Sequence, residues 1–286
     1  MENQGSILVV GADGQIGRSL ADRLSGQGRT VVRTMLQADG DALPLDLSRD
    51  AAGWVPPRRI SVAYLCAAVT SIDYCRQHPA EAYAVNVRGT MAVARRLAEQ
   101  QALVVFLSSN LVFDGSAQFE KPDAPRRPGC EYGRHKAEVE EQLLLMRQQS
   151  CIVRFTKVLG LGMPLLAKWR GALQQKQPIH PFSDMVMAPV PLTFAVDVLR
   201  RVGEVRRTGV VQVSASQDVT YEQVARHLAK RIGADEGLVK AVRAADSGLD
   251  LGHVPAHTTL DTTVLREELG MVPPDVWQTI DGLIEP

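Results

Sequence analysis

Ser6–Gly17 reads SILVVGADGQIG, five residues of β-type apolar run that end on Gly11 and pass through Gly14 to Gly17. Beyond it Ile16, Leu20 and Leu24 recur at helical spacing as far as Gly26 and Gly28. A strand, a glycine turn spaced GxxGxxG and a helix form the first unit of a dinucleotide-binding fold. Glycine permits the tight turn and lets backbone approach a pyrophosphate closely, while the helix N-terminus offers free N–H groups and partial positive charge. A glycine triplet alone is weak evidence, since it also suits an ordinary strand–helix turn. The flanking elements and their order make the case. Gly11, Gly14, Gln15, Ile16 and Gly17 are therefore the expected cofactor loop.

The pattern repeats along the chain. Strands are expected at Thr30–Met35, Leu43–Leu47, Ile60–Ala67, Leu103–Leu107 and Cys151–Phe155, with helices at about Pro79–Gln101 and Tyr132–Gln149. Alternation at these lengths predicts an α/β fold, a doubly wound parallel sheet (Rossmann) covered on both faces. After Gly160, prolines at 164, 178, 181, 189 and 191 loosen it, and helices are expected at Phe194–Val205, Tyr221–Ile232 and Thr262–Leu269. This divides the chain into a dinucleotide-binding domain, residues 1–160 with about 192–214 returning to it, and a smaller, mainly substrate-binding C-terminal domain, 161–286.

The ends of the other strands bear on the cofactor. The second strand, TVVRTMLQ, carries no acid before Asp39, where NAD-specific sites hold one for the ribose. Arg33, or Arg18, could meet a 2′-phosphate, or Arg33 could simply point to solvent. The reading leans to NADPH, with NADH as the alternative. Asp46 and Leu47 close the third strand, where Asp46 either accepts from an adenine amino group or caps a helix. Cys66, Ala67 and Ala68 are small enough for a cofactor to pass over the fourth strand.

Tyr132 and Lys136 stand one helical turn apart, downstream of the Ser108–Ser109 pair that ends the fifth strand. A tyrosine hydroxyl moves a proton on or off a carbonyl oxygen; a nearby ammonium should lower its pKa, and a serine hydroxyl can hold that oxygen. Each residue alone has a dull explanation. Together with the glycine loop, in this order, Ser109, Tyr132 and Lys136 are the expected catalytic triad of an oxidoreductase, with Tyr132 and Lys136 also against the cofactor.

The motifs VVGADGQIGRSL, CAAVTSIDYC, HPAEAYAVNVRGT, FLSSNLVFDG, YGRHKAEVE and TTLDTTVLREELG span nearly the whole chain. In them the chain resembles the extended short-chain dehydrogenase/reductase family, and within it the dTDP-4-dehydrorhamnose reductase-like branch. The resemblance implies a keto-sugar nucleotide, or a related carbonyl compound, bound between two domains and reduced with NAD(P)H. It makes Ser109, Tyr132 and Lys136 the triad, Asn86 a structural support and Thr70 part of the substrate segment. Departures fall on the substrate side. Asn110–Leu111 stands where the reductases read Asp and an aromatic, Lys157 replaces an aromatic after the sixth strand, and Asp184–Val190 replaces DQxGxPT. Asn110 and Lys157 are accordingly expected to contact the substrate, although Lys157 could equally be a lysine at the sheet rim. Two further roles occur on this fold: a sugar-nucleotide epimerase, and a non-catalytic NADP-binding regulatory subunit such as that of methionine adenosyltransferase. Dehydration is disfavoured, because no Asp-Glu pair follows Ser109.

Composition narrows the partners. Lys+Arg and Asp+Glu both number 32, so no global field draws nucleic acid or a membrane surface. No apolar run is long enough for a membrane span, and no leader segment is evident. The four cysteines have no metal-ligand spacing, Cys66 and Cys151 read as small buried residues, and Pro255 breaks the spacing of His253 and His257, so no metal is expected. The expectation is a reduced, cytoplasmic protein acting on a small molecule, with a homodimer possible.

Overall fold

The computed structural model describes residues 5–37, 40–49, 51–146, 149–160 and 163–284. Its centre is a seven-stranded sheet. Strands β1 (Ser6–Val10), β2 (Val31–Met35), β3 (Leu43–Pro44), β4 (Ile60–Leu65), β5 (Leu103–Ser109) and β6 (Ser150–Phe155) occupy six positions. Two-residue strands β7 (Val158–Leu159), β8 (Val186–Met187) and β9 (Val190–Pro191) follow, then β10 (Gly209–Val213) and β11 (Val219–Thr220). The sheet runs β10-β6-β5-β4-β1-β2-β3, and every pairing in it is parallel. Order reverses between β1 and β4, and in an open α/β sheet the crevice beyond the carboxyl ends at such a reversal is where ligands bind.

Helices cover both faces. They are α1 (Gln15–Gly26), α2 (Ile72–Gln77), α3 (Pro79–Tyr83), α4 (Thr90–Glu99) and α5 (Glu131–Leu144) in the first half. The second half holds α6 (Pro164–Gln174), α7 (Leu192–Glu204), α8 (Tyr221–Arg231), α9 (Thr263–Glu267) and α10 (Val276–Ile284). All five residues of β1 are buried, as a strand sandwiched between helices requires. One core packs Leu20 and Leu24 of α1 with Val198, Leu199 and Val202 of α7 against the sheet; the other packs Met91, Leu97, Val139 and Leu143 on its opposite face. A third core, separate from the sheet, joins Leu166, Trp169 and Leu173 to Val224, Leu228, Val276 and Ile280.

Among the expected elements, three differ in extent or type. The third strand stops at Pro44, because proline has no N–H to extend the ladder, and only Leu45 N still reaches Met35 O at 2.7 Å. The long helix over Pro79–Gln101 is two α-helices joined by a π-helical turn, Ala84–Gly89. There Thr90 Oγ1 donates to Val85 O at 3.0 Å, and Gly89 lies so close to Leu47 O that no Cβ would fit. The helix from Tyr132 ends at Leu144, five residues short, and residues 147–148 lie outside those described. Among the described residues no helix is long and apolar enough to cross a membrane.

Candidate active site

The glycine loop sits at the reversal point. Gly11 has φ +81°, and a Cβ there would collide with the backbone of Ala67 at the end of β4. Gly17 faces Gly11 O so closely that any side chain would displace the turn, which seats α1 against the loop. Gly14 differs: its nearest neighbour, Gly11 O, is at an ordinary 3.5 Å. No side chain caps α1, and no acid occupies its first turn. An open Gly14 beside an uncapped helix N-terminus fits an anion such as a pyrophosphate. Gly17→Ala should therefore cost about 1–3 kcal/mol of stability by overpacking. Gly14→Ala should cost less than about 1 kcal/mol yet weaken dinucleotide binding about tenfold, since its methyl occupies ligand space. Denaturant melts and dinucleotide titrations of the two variants check this.

Around the loop runs a cleft of about 1210 Å³, lined by Gly11, Gly14, Gln15, Ile16, Gly17, Asp46, Leu47, Cys66, Ala67, Ala68, Thr70, Ser109, Asn110, Tyr132, Lys136 and Lys157. Of the residues expected at the site, Arg33 and its alternative Arg18 are not in it. Its guanidinium lies on α1, 2.8 Å from Asp22 Oδ1 and 3.2 Å from Ser25 Oγ. Arg33 is on the half-exposed face of β2, and the α1 carboxylate there takes its charge. Arg18 donates to Asp13 O instead. Both arginines thus lie outside the cleft, Arg33 at the surface as the alternative reading had it; Asp39 lies outside the described residues. Asp46 lines the cleft but caps a turn, accepting from Ser48 N at 2.8 Å and Ser48 Oγ at 2.6 Å, bonds that hold its carboxyl below the usual range. Cys66 is only partly buried, being at the cleft edge rather than within β4. Its thiol is pushed up to about 12 by desolvation, with Lys136 opposing, so it remains neutral.

The serine pair divides its work. Ser108 points into the core and donates to Glu140 Oε1 at 2.6 Å, whereas Ser109 ends β5 in the cleft, accepting from Leu111 N at 3.2 Å and donating to Asn110 Oδ1 at 3.3 Å. Cys130 Sγ accepts from Gly133 N and caps α5, on whose first turns stand Tyr132 and Lys136. Tyr132 packs with Cys75 and Ala82, and its hydroxyl has no hydrogen-bond partner among the described residues. Burial pushes its pKa upward, with Cys75 and Cys130 adding to the rise. This corrects the expectation that Lys136 pulls it down. The ammonium instead donates to Leu107 O at 2.8 Å and lies 4.5 Å from the Phe106 ring centre and 5.5 Å from that of Tyr132.

Lys136 itself is pulled down to about 8 by desolvation, against the raising influence of Cys66 and Glu140. Its folded pKa lies below its unfolded value, so burying the cation costs stability. That cost is present in full below pH 8 and fades between pH 8 and 10.5 as the buried amine stays neutral while the unfolded chain binds the proton. Relative to Lys136→Met, the wild type should gain about 2–3 kcal/mol across that window, measurable by urea unfolding at stepped pH. Dinucleotide affinity should fall over the first part of it as the charge is lost.

Further residues complete the cleft. Asn86, on the π-helical turn, accepts from Val69 N at 2.8 Å and donates to Val69 O at 2.9 Å, clamping the segment that carries Thr70; the sequence resemblance had marked it only as a support. Lys157, on the cleft wall, donates to Tyr221 Oη at 2.7 Å. Residues 250–258 border the cleft, with Pro255 pressed on Gly115 and His253 Nε2 on Asp114 O. His257 faces Asp218 Oδ2 at 3.4 Å, so the two histidines serve different contacts. Tyr221 was read only as the start of a helix and the 250–258 segment only as a loop, because periodicity does not say which such residues face a cleft.

A family model described as RmlD substrate binding domain matches residues 5–285. The chain belongs to that family. Among relatives, it is 28% identical over 286 residues to a dTDP-4-dehydrorhamnose reductase of Aggregatibacter actinomycetemcomitans, covering 95% of each chain. In structure it is similar to a dTDP-4-dehydrorhamnose reductase of Bacillus anthracis in complex with NADP, with a TM-score of 0.83, 18% identity and coverage of 99% and 98%. It is also similar to MoeE5 in complex with UDP-glucose and NAD, with a TM-score of 0.82, 22% identity and 98% of both chains covered. Family membership agrees with the sequence resemblance, and the structural likeness with the doubly wound fold.

Proposed function

We propose that the protein is a reductase of a keto-sugar nucleotide. The observation that carries this reading is that Ser109, Tyr132 and Lys136 border the same cleft as the glycine loop at the α1 N-terminus. A nicotinamide dinucleotide bound there supplies hydride to the carbonyl carbon. NADPH is the proposed donor, because Met35 and Leu36 at the end of β2 present no carboxylate to repel a 2′-phosphate; NADH is the alternative.

The chain's own part is to hold the carbonyl oxygen and deliver a proton to it. Ser109 Oγ and Tyr132 Oη are hydroxyl donors for that oxygen. The raised pKa keeps Tyr132 protonated near neutral pH, so the acid is loaded before reaction. As negative charge grows on the oxygen, Tyr132 gives up its proton and Lys136 offsets the resulting phenolate. Lys157, with Tyr221 behind it, lies on the substrate wall. The named relatives support a nucleotide-linked keto-sugar as the substrate class.

The experiment is consumption of NADPH in the presence of a dTDP-4-dehydro-6-deoxyhexose, with product identified by mass. Stoichiometric cofactor oxidation and a product heavier by two hydrogens are expected. Isomerised product without net oxidation would replace the reading with epimerisation, and tight binding without product would replace it with a binding role.

A further inference from the structure

A second cavity, of about 690 Å³, opens at the opposite end of the sheet. Its cationic residues each come just before a strand: Arg29 before β2, Arg59 before β4 and Arg206 before β10. In a parallel sheet all those strands start at one end, whereas Gly11, Cys66 and Ser109 stand at the other. The six residues of β4 between the two ends span about 20 Å, so one small ligand cannot reach both.

The charge in this cavity is unbalanced. The guanidiniums of Arg29 and Arg59 have no hydrogen bond or ion pair among the described residues, and Arg206 Nη1 donates to Ser61 O at 3.1 Å. The single acid on the wall, Glu204, is already held by Arg200 at 2.5 Å. Tyr64, 1% exposed, lies just behind this wall, packed so tightly on Gly203 that a Cβ there would strike its hydroxyl. Gly203 and Val62, which flank the phenol, both line the cavity, and Glu204 and Arg29 are among the charged groups that act on its hydroxyl.

We infer that this cavity is a binding site for a small anion carrying two or more phosphoryl groups. Three guanidiniums match several phosphate oxygens, and guanidinium geometry favours bidentate contact with them. The volume falls within the range of small-molecule sites. The amide of Gln101 is a neutral donor of the same wall. The site lies outside the reductase cleft and does not depend on the reaction proposed there.

The test is equilibrium titration of the full chain with inorganic triphosphate at low ionic strength. The wild type should bind, and the double variant Arg29→Ala, Arg59→Ala should bind at least tenfold more weakly with an unchanged melting temperature, since both side chains are free of protein partners. Lys157→Ala, in the cleft, should bind triphosphate as the wild type does. A double variant within twofold of the wild type, or an equal loss in Lys157→Ala, would overturn the assignment.

Discussion

Tyr132→Phe should lower turnover by about a thousandfold while leaving dinucleotide affinity and stability nearly unchanged. General acid catalysis by a placed side chain is worth about 10²–10⁴ in rate. Phenylalanine keeps the ring's packing against Cys75 and Ala82, and the lost hydroxyl makes no bond within the protein that folding would miss. The loss should therefore fall on kcat rather than on KM or Tm. Steady-state kinetics with a saturating keto-sugar nucleotide, beside a thermal melt, separates these quantities. A variant that loses its fold or its cofactor affinity would point to a structural tyrosine, and a fully active one would remove the proton donor from the account.

The second large effect is on stability. Arg154, on β6, is completely buried and makes a two-point contact with Glu140 of α5: Nε to Oε1 at 2.9 Å and Nη2 to Oε2 at 2.7 Å. Nη1 donates to Pro122 O and Gln212 Oε1, both at 3.0 Å, and the guanidinium lies 4.9 Å from the Phe113 ring centre. Ser108 Oγ completes Glu140, so one network joins β5, β6, β10 and the loop before α5 to the helix carrying Tyr132 and Lys136. Glu140→Gln leaves the arginine charge buried without its counter-ion and should cost about 3–5 kcal/mol. Arg126, 3.9 Å from Glu140 Oε2, adds a second uncompensated cation. Pairing Glu140→Gln with Arg154→Met removes the charge along with its partner and should recover most of the loss, by the logic that a buried pair is costly to break but not to replace. Urea unfolding of the single and double variants measures both. A Glu140→Gln variant within 1 kcal/mol of wild type would show that the pair does not hold α5 to the sheet.

That network shows where sequence reading stops. The arginine stands in CIVRF, a run read as a strand on its apolar neighbours. Nothing in the run says that this charge points inward or meets a glutamate fourteen residues earlier. Periodicity reports which face is apolar, and a buried ion pair contradicts it on both elements. By contrast β1, the glycine turn and α1 were legible at once, because tight turns and close backbone approach admit few residue types. Tyr132 and Lys136 were legible because helical spacing brings positions four apart to one face. The environment that governs their protonation was not. Lys136 is turned toward Leu107 O and Phe106 by the packing of α5 on β5, a matter of three-dimensional contact. Arg33 was left open for a related reason: its place in the strand was legible, while its partner on α1 was not. α6 was missed because the proline that opens it, Pro164, was read only as a breaker, although proline suits the first turn of a helix.

The central claim is that a dinucleotide lies along the glycine turn with its reactive ring beside Ser109 and Tyr132. A crystal structure of the protein with NADP bound tests it most directly. The account predicts the pyrophosphate against the backbone N–H groups of Gly14–Gly17, the ribose within hydrogen-bond reach of Lys136, and the nicotinamide facing the hydroxyl of Tyr132. A pyrophosphate seated away from that turn, or a ring more than about one side chain's length from Tyr132, would contradict it.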